Sequence, residues 1–160
     1  SGTVGQARRR SNGLDGARLP MLIAVLEQHA QLEMNDKDIY TSTVGGLKLI
    51  EPAVDLAVCT AMMSGAMNIV LPSNMCAIGE VGLGGEIRSV PQIEQRIAQA
   101  SRRGYKSLLV PITQEKMGGS GCIGMASIGA LGAFLQKNAN ITQSKMQLSD
   151  GEKKRFTECY

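Results

Sequence analysis

The chain has 160 residues, 43% hydrophobic and 19% charged, with a formal charge of +3. That is enough for one domain with a buried core, and too weakly basic for charge alone to imply nucleic acid. Aromatic residues make up 3% with no tryptophan, so the core must be aliphatic and methionine-filled, and base-stacking surfaces are scarce. Cys59, Cys76, Cys122 and Cys159 lie far apart with no CxxC and a single histidine, which excludes the usual zinc spacings and points to thiols in a reducing compartment. No run of about 18 apolar residues and no leader pattern is present, so no membrane partner is expected. Ser1-Gly2 reads as a cloning scar, and the abrupt start as that of a piece of something longer.

Residues 3–13 are polar and carry the run Arg8-Arg9-Arg10. Asp15 is placed to cap a helix over residues 17–31, in which Leu19, Leu22, Ile23, Leu26 and Ala30 form an apolar stripe. His29 lies beside that stripe without a cysteine or histidine neighbour, which suits a surface or boundary position better than a metal ligand. Asn35-Asp36 turns the chain into a strand over residues 38–44. Glu51-Pro52 then opens a helix that runs to about Gly65, because proline at the first helical position loses no needed N–H and a carboxylate there meets the positive end of the dipole. Leu56, Ala57, Thr60 and Met63 give it one apolar face.

A strand pair over residues 75–81 and 86–90 follows, joined by Gly82-Leu83-Gly84-Gly85, which suits a tight hairpin. Pro91 begins a helix to Arg103 with Ile93, Ile97 and Ala100 inward and Gln95, Arg96, Gln99, Arg102 and Arg103 largely outward. Gly104 supplies its C-terminal cap, and residues 107–110 make a strand ended by Pro111. This order predicts an α+β sandwich of helices against a mixed sheet. Residues 117–135 are rich in glycine and methionine and read either as a poorly specified helix or as a partner-facing surface. Residues 136–160 are polar and read as frayed. The expected division is a domain over residues 1–112 and an atypical extension over 113–160.

No GxxxxGK[ST] is present, so the segment by itself is not an ATPase, and GLGG lies between strands rather than before a helix. Glu51 and Asp55 stand four apart on the first turn of a helix. They are open to acid/base or metal chemistry, although helix-end stabilisation and pairing with nearby arginines is favoured. Arg8, Arg9, Arg10, Arg18, Lys48 and Arg88 fall in loops or at element starts. They are either scattered solvation charge or a rim that meets phosphate.

Residues 8–32 (RRRSNGLDGARLPMLIAVLEQHAQL), 38–58 (DIYTSTVGGLKLIEPAVDLAV) and 79–111 (GEVGLGGEIRSVPQIEQRIAQASRRGYKSLLVP) resemble, in order and spacing, the C-terminal Lon-like domain of the RadA (Sms) DNA-repair family. The resemblance covers residues 5–111 and implies the ribosomal protein S5 domain 2-like fold shared with the proteolytic domain of Lon peptidases. The strands that open such a domain are missing or cut short here.

At the Lon serine and lysine positions stand Ala53 and Glu94. A serine–lysine peptidase needs a hydroxyl and a lysine able to take its proton; Ala53 has no such atom, Glu94 carries the wrong charge, and Ser64 with Lys48 does not replace them. The resemblance therefore implies a peptidase-inactive domain with no catalytic or metal-ligating residue and no cofactor of its own. ATP, magnesium and zinc would belong to a preceding ATPase core and zinc finger. It further implies a hexameric ring for branch migration, a strand-exchange recombinase as possible partner, and a cytoplasmic location in bacteria or an organellar one in plants. By motif, Arg9, Arg18, Lys48 and Arg88 are implied to contact DNA, with Arg8 and Arg10 secondary. An active Lon-like peptidase and a pure oligomerisation scaffold are the alternatives.

Overall fold

The computed structural model describes residues 8–34, 36–42 and 51–148. In chain order it contains β1 (Arg9–Asn12), α1 (Arg18–His29), β2 (Ile39–Ser42), a 3-10 turn (Pro52–Val54) leading into α2 (Asp55–Met67), β3 (Met75–Ala77), β4 (Glu80–Val81), β5 (Ile87–Arg88), α3 (Ile93–Arg102), β6 (Ser107–Pro111), a second 3-10 turn (Ile112–Met117), β7 (Cys122–Met125) and α4 (Ile128–Leu148). The architecture is mixed helix and sheet, as expected of an α+β chain. Among the described residues no helix is long and apolar enough to cross a membrane.

Three strands form the central sheet, β3–β6–β7, all parallel. Strand β6 reads Leu108-Leu109-Val110 without polar alternation, because a parallel strand covered on both faces must be apolar on both. Successive side chains point to opposite faces. Leu109, in register with Ala77 and Ile123, faces the larger core built by Leu19, Leu22, Ile23 and Leu26 of α1, Leu56, Cys59 and Met63 of α2, and Ile128, Leu131 and Leu135 of α4. Leu108 and Val110 face the smaller cluster with Ile93, Ile97 and Ala100 of α3, Ala53 and Val90. Each fully buried leucine or isoleucine contributes about 1.5–3 kcal/mol of hydrophobic stabilisation before entropy is counted.

The helices follow the expected stripes with local differences. Asp15 does not cap α1 directly: Ala17 stands at the cap, and Asp15 Oδ1 accepts the Ala17 N–H at 3.2 Å one residue earlier. In α2 the buried face is Leu56, Cys59, Thr60 and Met63, with Ala57 exposed instead of inward. That helix runs past Gly65 to Met67, where Asn68 takes the left-handed conformation that ends it. Helix α3 buries Ile93, Ile97 and Ala100 as expected, and Gly104 follows it at φ +93°.

Three segments differ more from the expectation. The polar run before α1 is partly a strand, with Arg9, Arg10, Ser11 and Asn12 pairing in parallel with β2. The segment 75–81 is not one strand: β3 joins the central sheet, whereas β4 pairs antiparallel with β5. Between them Gly79 donates to the Ala53 carbonyl and accepts from the Leu56 N–H, both at 3.0 Å, which ties the break to the start of α2. Residues 122–125 form a sheet strand and residues 128–135 supply three fully buried core side chains. The segment after Pro111 is thus packed against the same sheet and core as what precedes it.

Candidate nucleic-acid interface

The basic residues singled out in the sequence occupy three places. Arg8 and Arg10 lie at β1, both exposed, and Arg10 is in register with Tyr40 of β2, which is 61% exposed. An arginine beside a solvent-facing tyrosine is a pairing that suits a phosphate and a neighbouring base. Arg9, between them, turns to α1, with its Nη2 at 3.6 Å from Glu27 Oε1. The strand is defined by pairing rather than propensity: the Ile39 N–H donates to the Arg8 carbonyl at 2.8 Å, and the Arg8 N–H donates to Asp38 Oδ1 at 2.7 Å.

Arg18 opens α1 and reaches across to the first turn of α2. Its Nε and Nη2 donate to Asp55 Oδ1 and Oδ2, both at 2.5 Å, and the Val81 N–H donates to the same carboxylate at 3.1 Å. Asp55 is completely buried and the Arg18 side chain is 20% exposed. The hydrogen bonds to Asp55 raise the Arg18 pKa above its ordinary value, desolvation opposes this, and the charges of Asp55, Glu80 and Asp15 add to it. Glu51 pairs with Arg96 of α3. The two carboxylates at the start of α2 therefore serve separate arginines, and among the described residues no cluster of histidine, cysteine and carboxylate side chains suits a metal ion.

Arg88 sits in β5, opposite Glu80 in β4. Its Nε and Nη2 lie 2.9 and 2.5 Å from Glu86 Oε1, both side chains being about half exposed. The charge of Glu80 also acts on Arg18. Arg10, with Arg8 beside it, lies on a different sheet. Lys48 lies outside the described residues.

Ala53 is buried in the cluster with Val90 and Ile93, and Glu94 projects exposed from the first turn of α3. Ala53 has no hydroxyl, and Glu94 has no amine to act as the lysine of a serine–lysine pair. Two neighbours of these basic positions were not singled out from the sequence. Tyr40 was visible as one of few aromatics in a polar strand, and Glu86 as the acid two residues before Arg88.

Comparison with known proteins bears on this arrangement. Residues 24–114, more than half of the chain, match the family model described as subunit ChlI of Mg-chelatase. The chain is 48% identical over 107 residues to the DNA repair protein RadA of Mycobacterium tuberculosis, covering 67% of this chain and 22% of that protein. It is 44% identical over 105 residues to the protein of that name from Pseudomonas aeruginosa, 66% of this chain and 23% of the other. For the one from Escherichia coli the identity is 43% over 104 residues, 65% of this chain and 23% of the other. The chain thus spans under a quarter of the length of the curated relatives it matches.

Proposed function

Because the chain belongs to the family described as subunit ChlI of Mg-chelatase, and is similar over two thirds of its length to DNA repair proteins named RadA, we propose that it is the Lon-like, peptidase-inactive domain of a RadA-type DNA-repair protein. In this reading the domain binds DNA and helps assemble a hexameric ring, while ATP-driven branch migration, with its nucleotide, magnesium and zinc, belongs to the whole protein. A recombinase is a further partner of that whole protein, and the compartment is the bacterial cytoplasm or a plant organelle. The 43–48% identity to the RadA proteins is the observation that carries the proposal.

The proposed DNA-facing residues are Arg9, Arg18, Lys48 and Arg88, with Arg8 and Arg10 beside them. Exposure favours Arg8 and Arg10 for the contact itself, and Arg88, whose partner Glu86 is half exposed and open to competition by solvent. Arg18, by contrast, is bound on two nitrogens to a buried carboxylate, and Arg9 leans on Glu27. The buried Ala53 and the exposed Glu94 support the absence of peptidase chemistry.

The test is duplex and single-stranded DNA binding against salt, with Arg8→Ala/Arg10→Ala/Arg88→Ala as the comparison. A wild type that loses affinity linearly in log salt, and a folded variant whose slope is shallower by about 0.9 for each phosphate contact removed, is the expected outcome. Equal binding by both proteins refutes the assigned residues, and no binding by the wild type refutes the DNA-facing role.

A further inference from the structure

The turn over residues 82–85 commits its backbone groups in one direction. The Gly82 N–H donates to the Glu86 carbonyl at 2.9 Å and the Gly85 N–H to the Gly82 carbonyl at 3.0 Å. The outward carbonyls are taken by other elements: Leu83 by His29 Nε2 at 3.2 Å and Gly85 by the Ile128 N–H at 2.8 Å. Since a carbonyl can only accept, His29 carries its proton on Nε2 in this contact. The turn is therefore fixed from α1 on one side and α4 on the other.

The Glu86 carboxylate folds back over this turn, with Arg88 Nε and Nη2 donating to its Oε1. Its own amide, then the Arg88 guanidinium, hold that carboxyl below the usual carboxylate range against desolvation, with the Gly84 amide adding least. A Cβ at Gly82 would stand 1.9 Å from Glu86 Oε1, and one at Gly84 2.8 Å from Oε2. The glycines are thus what leaves room for an oxyanion between the turn and the Arg88 guanidinium.

We propose that this cradle is a phosphate site occupied by the protein's own Glu86 carboxylate, and that a phosphodiester oxygen displaces Glu86 to reach Arg88 over the glycine turn. The proposal rests on the DNA-facing reading above. Phosphate oxygens suit an arginine fork and backbone amides at least as well as a carboxylate does. The Glu86–Arg88 pair is half exposed, so water and salt already compete for it and it yields readily. Glu86 then sets the threshold at which Arg88 engages a ligand. The other charged group facing Arg88 across the hairpin is Glu80.

The test is DNA affinity at fixed salt for wild type, Glu86→Gln, Arg88→Ala, the double variant, and Glu94→Gln as a control for removing an acidic charge elsewhere. Glu86→Gln should tighten binding about two- to fivefold, the scale at which an exposed pair competes. Arg88→Ala should weaken it, and the double variant should bind no better than Arg88→Ala. A Glu86→Gln gain that persists without Arg88, or that Glu94→Gln matches, overturns the proposal.

A second arm follows the Gly84 and Glu86 amide resonances while inorganic phosphate is added to wild type and Glu86→Gln. Shifts at lower phosphate in Glu86→Gln support the cradle; no shift in either protein refutes it. If those amides respond while the wild type binds no DNA, the DNA-facing role falls and the cradle stands as a site for free phosphate.

Discussion

Replacing Arg18 with alanine removes, among the described residues, the only side chain bonded to a completely buried carboxylate. Asp55 then keeps the Val81 N–H at 3.1 Å and, among the described residues, no ion-pair partner. Breaking a buried pair in this way costs about 3–5 kcal/mol, and the 20% exposure of Arg18 lets water relieve part of it, so about 3 kcal/mol is expected. For a domain of this size that is a fall in Tm of about 6–12 °C, out of a total stability of order 5–15 kcal/mol. Urea unfolding followed by far-UV circular dichroism measures it. Substituting both partners with apolar groups, Arg18→Met/Asp55→Leu, should restore most of the loss, because no uncompensated charge stays buried. A cost for Arg18→Ala below about 0.5 kcal/mol, the level of an ordinary surface change, would show that the pair does not hold α1 to α2. A double variant as unstable as the two single losses added would refute the charge argument itself.

Gln114 bridges Val90 reciprocally, accepting the Val90 N–H at 3.0 Å and donating to its carbonyl at 2.9 Å in a buried setting. Gln114→Ala should cost about 2 kcal/mol in urea unfolding by stranding both groups, and a loss under about 0.5 kcal/mol would mean that water reaches them. Burial, with the nearby Asp55 charge adding to it, pushes the Cys59 thiol from its ordinary value of 9.0 up to about 12. The folded state thus keeps a proton that the unfolded chain releases, so this contribution is full below pH 9 and fades as pH rises toward about 12, by up to about 1.4 kcal/mol per pH unit. Thermal melts of wild type and Cys59→Ala between pH 8 and 11 should converge as pH rises, and parallel curves would refute the assignment.

What could be read from the sequence tracks how local its cause is. The stripe of α1, the inward face of α3 and the cap at Gly104 follow from spacing of a few residues. Strand β1 does not, since Arg-Arg-Ser-Asn has no strand propensity and becomes extended only by pairing with a segment some thirty residues on. The glycines of residues 118–124 looked like loose specification, yet a Cβ at Gly118 would stand 2.4 Å from Cys122 Sγ, and Gly121 adopts φ +98°. They mark close packing and a turn. The pairing of Glu51 and Asp55 with arginines was legible as well. Which arginine took which acid was not, because Arg18 and Asp55 are separated by 37 residues and Glu51 and Arg96 by 45.

Helix α4 closes the larger core with Ile128, Leu131 and Leu135, opposite the leucines that α1 contributes near the other end of the described chain. A ribosome adding about 5–20 residues per second leaves the apolar face of α1 uncovered for several seconds before its last partner emerges. The parallel pairings of β3, β6 and β7 also join segments distant in sequence, so their loops must close before any contact rewards them. The nascent chain therefore passes through an interval in which Leu22, Ile23 and Leu26 are open to other chains, and a stall or cleavage before residue 128 would leave an aggregation-prone intermediate rather than a smaller folded domain.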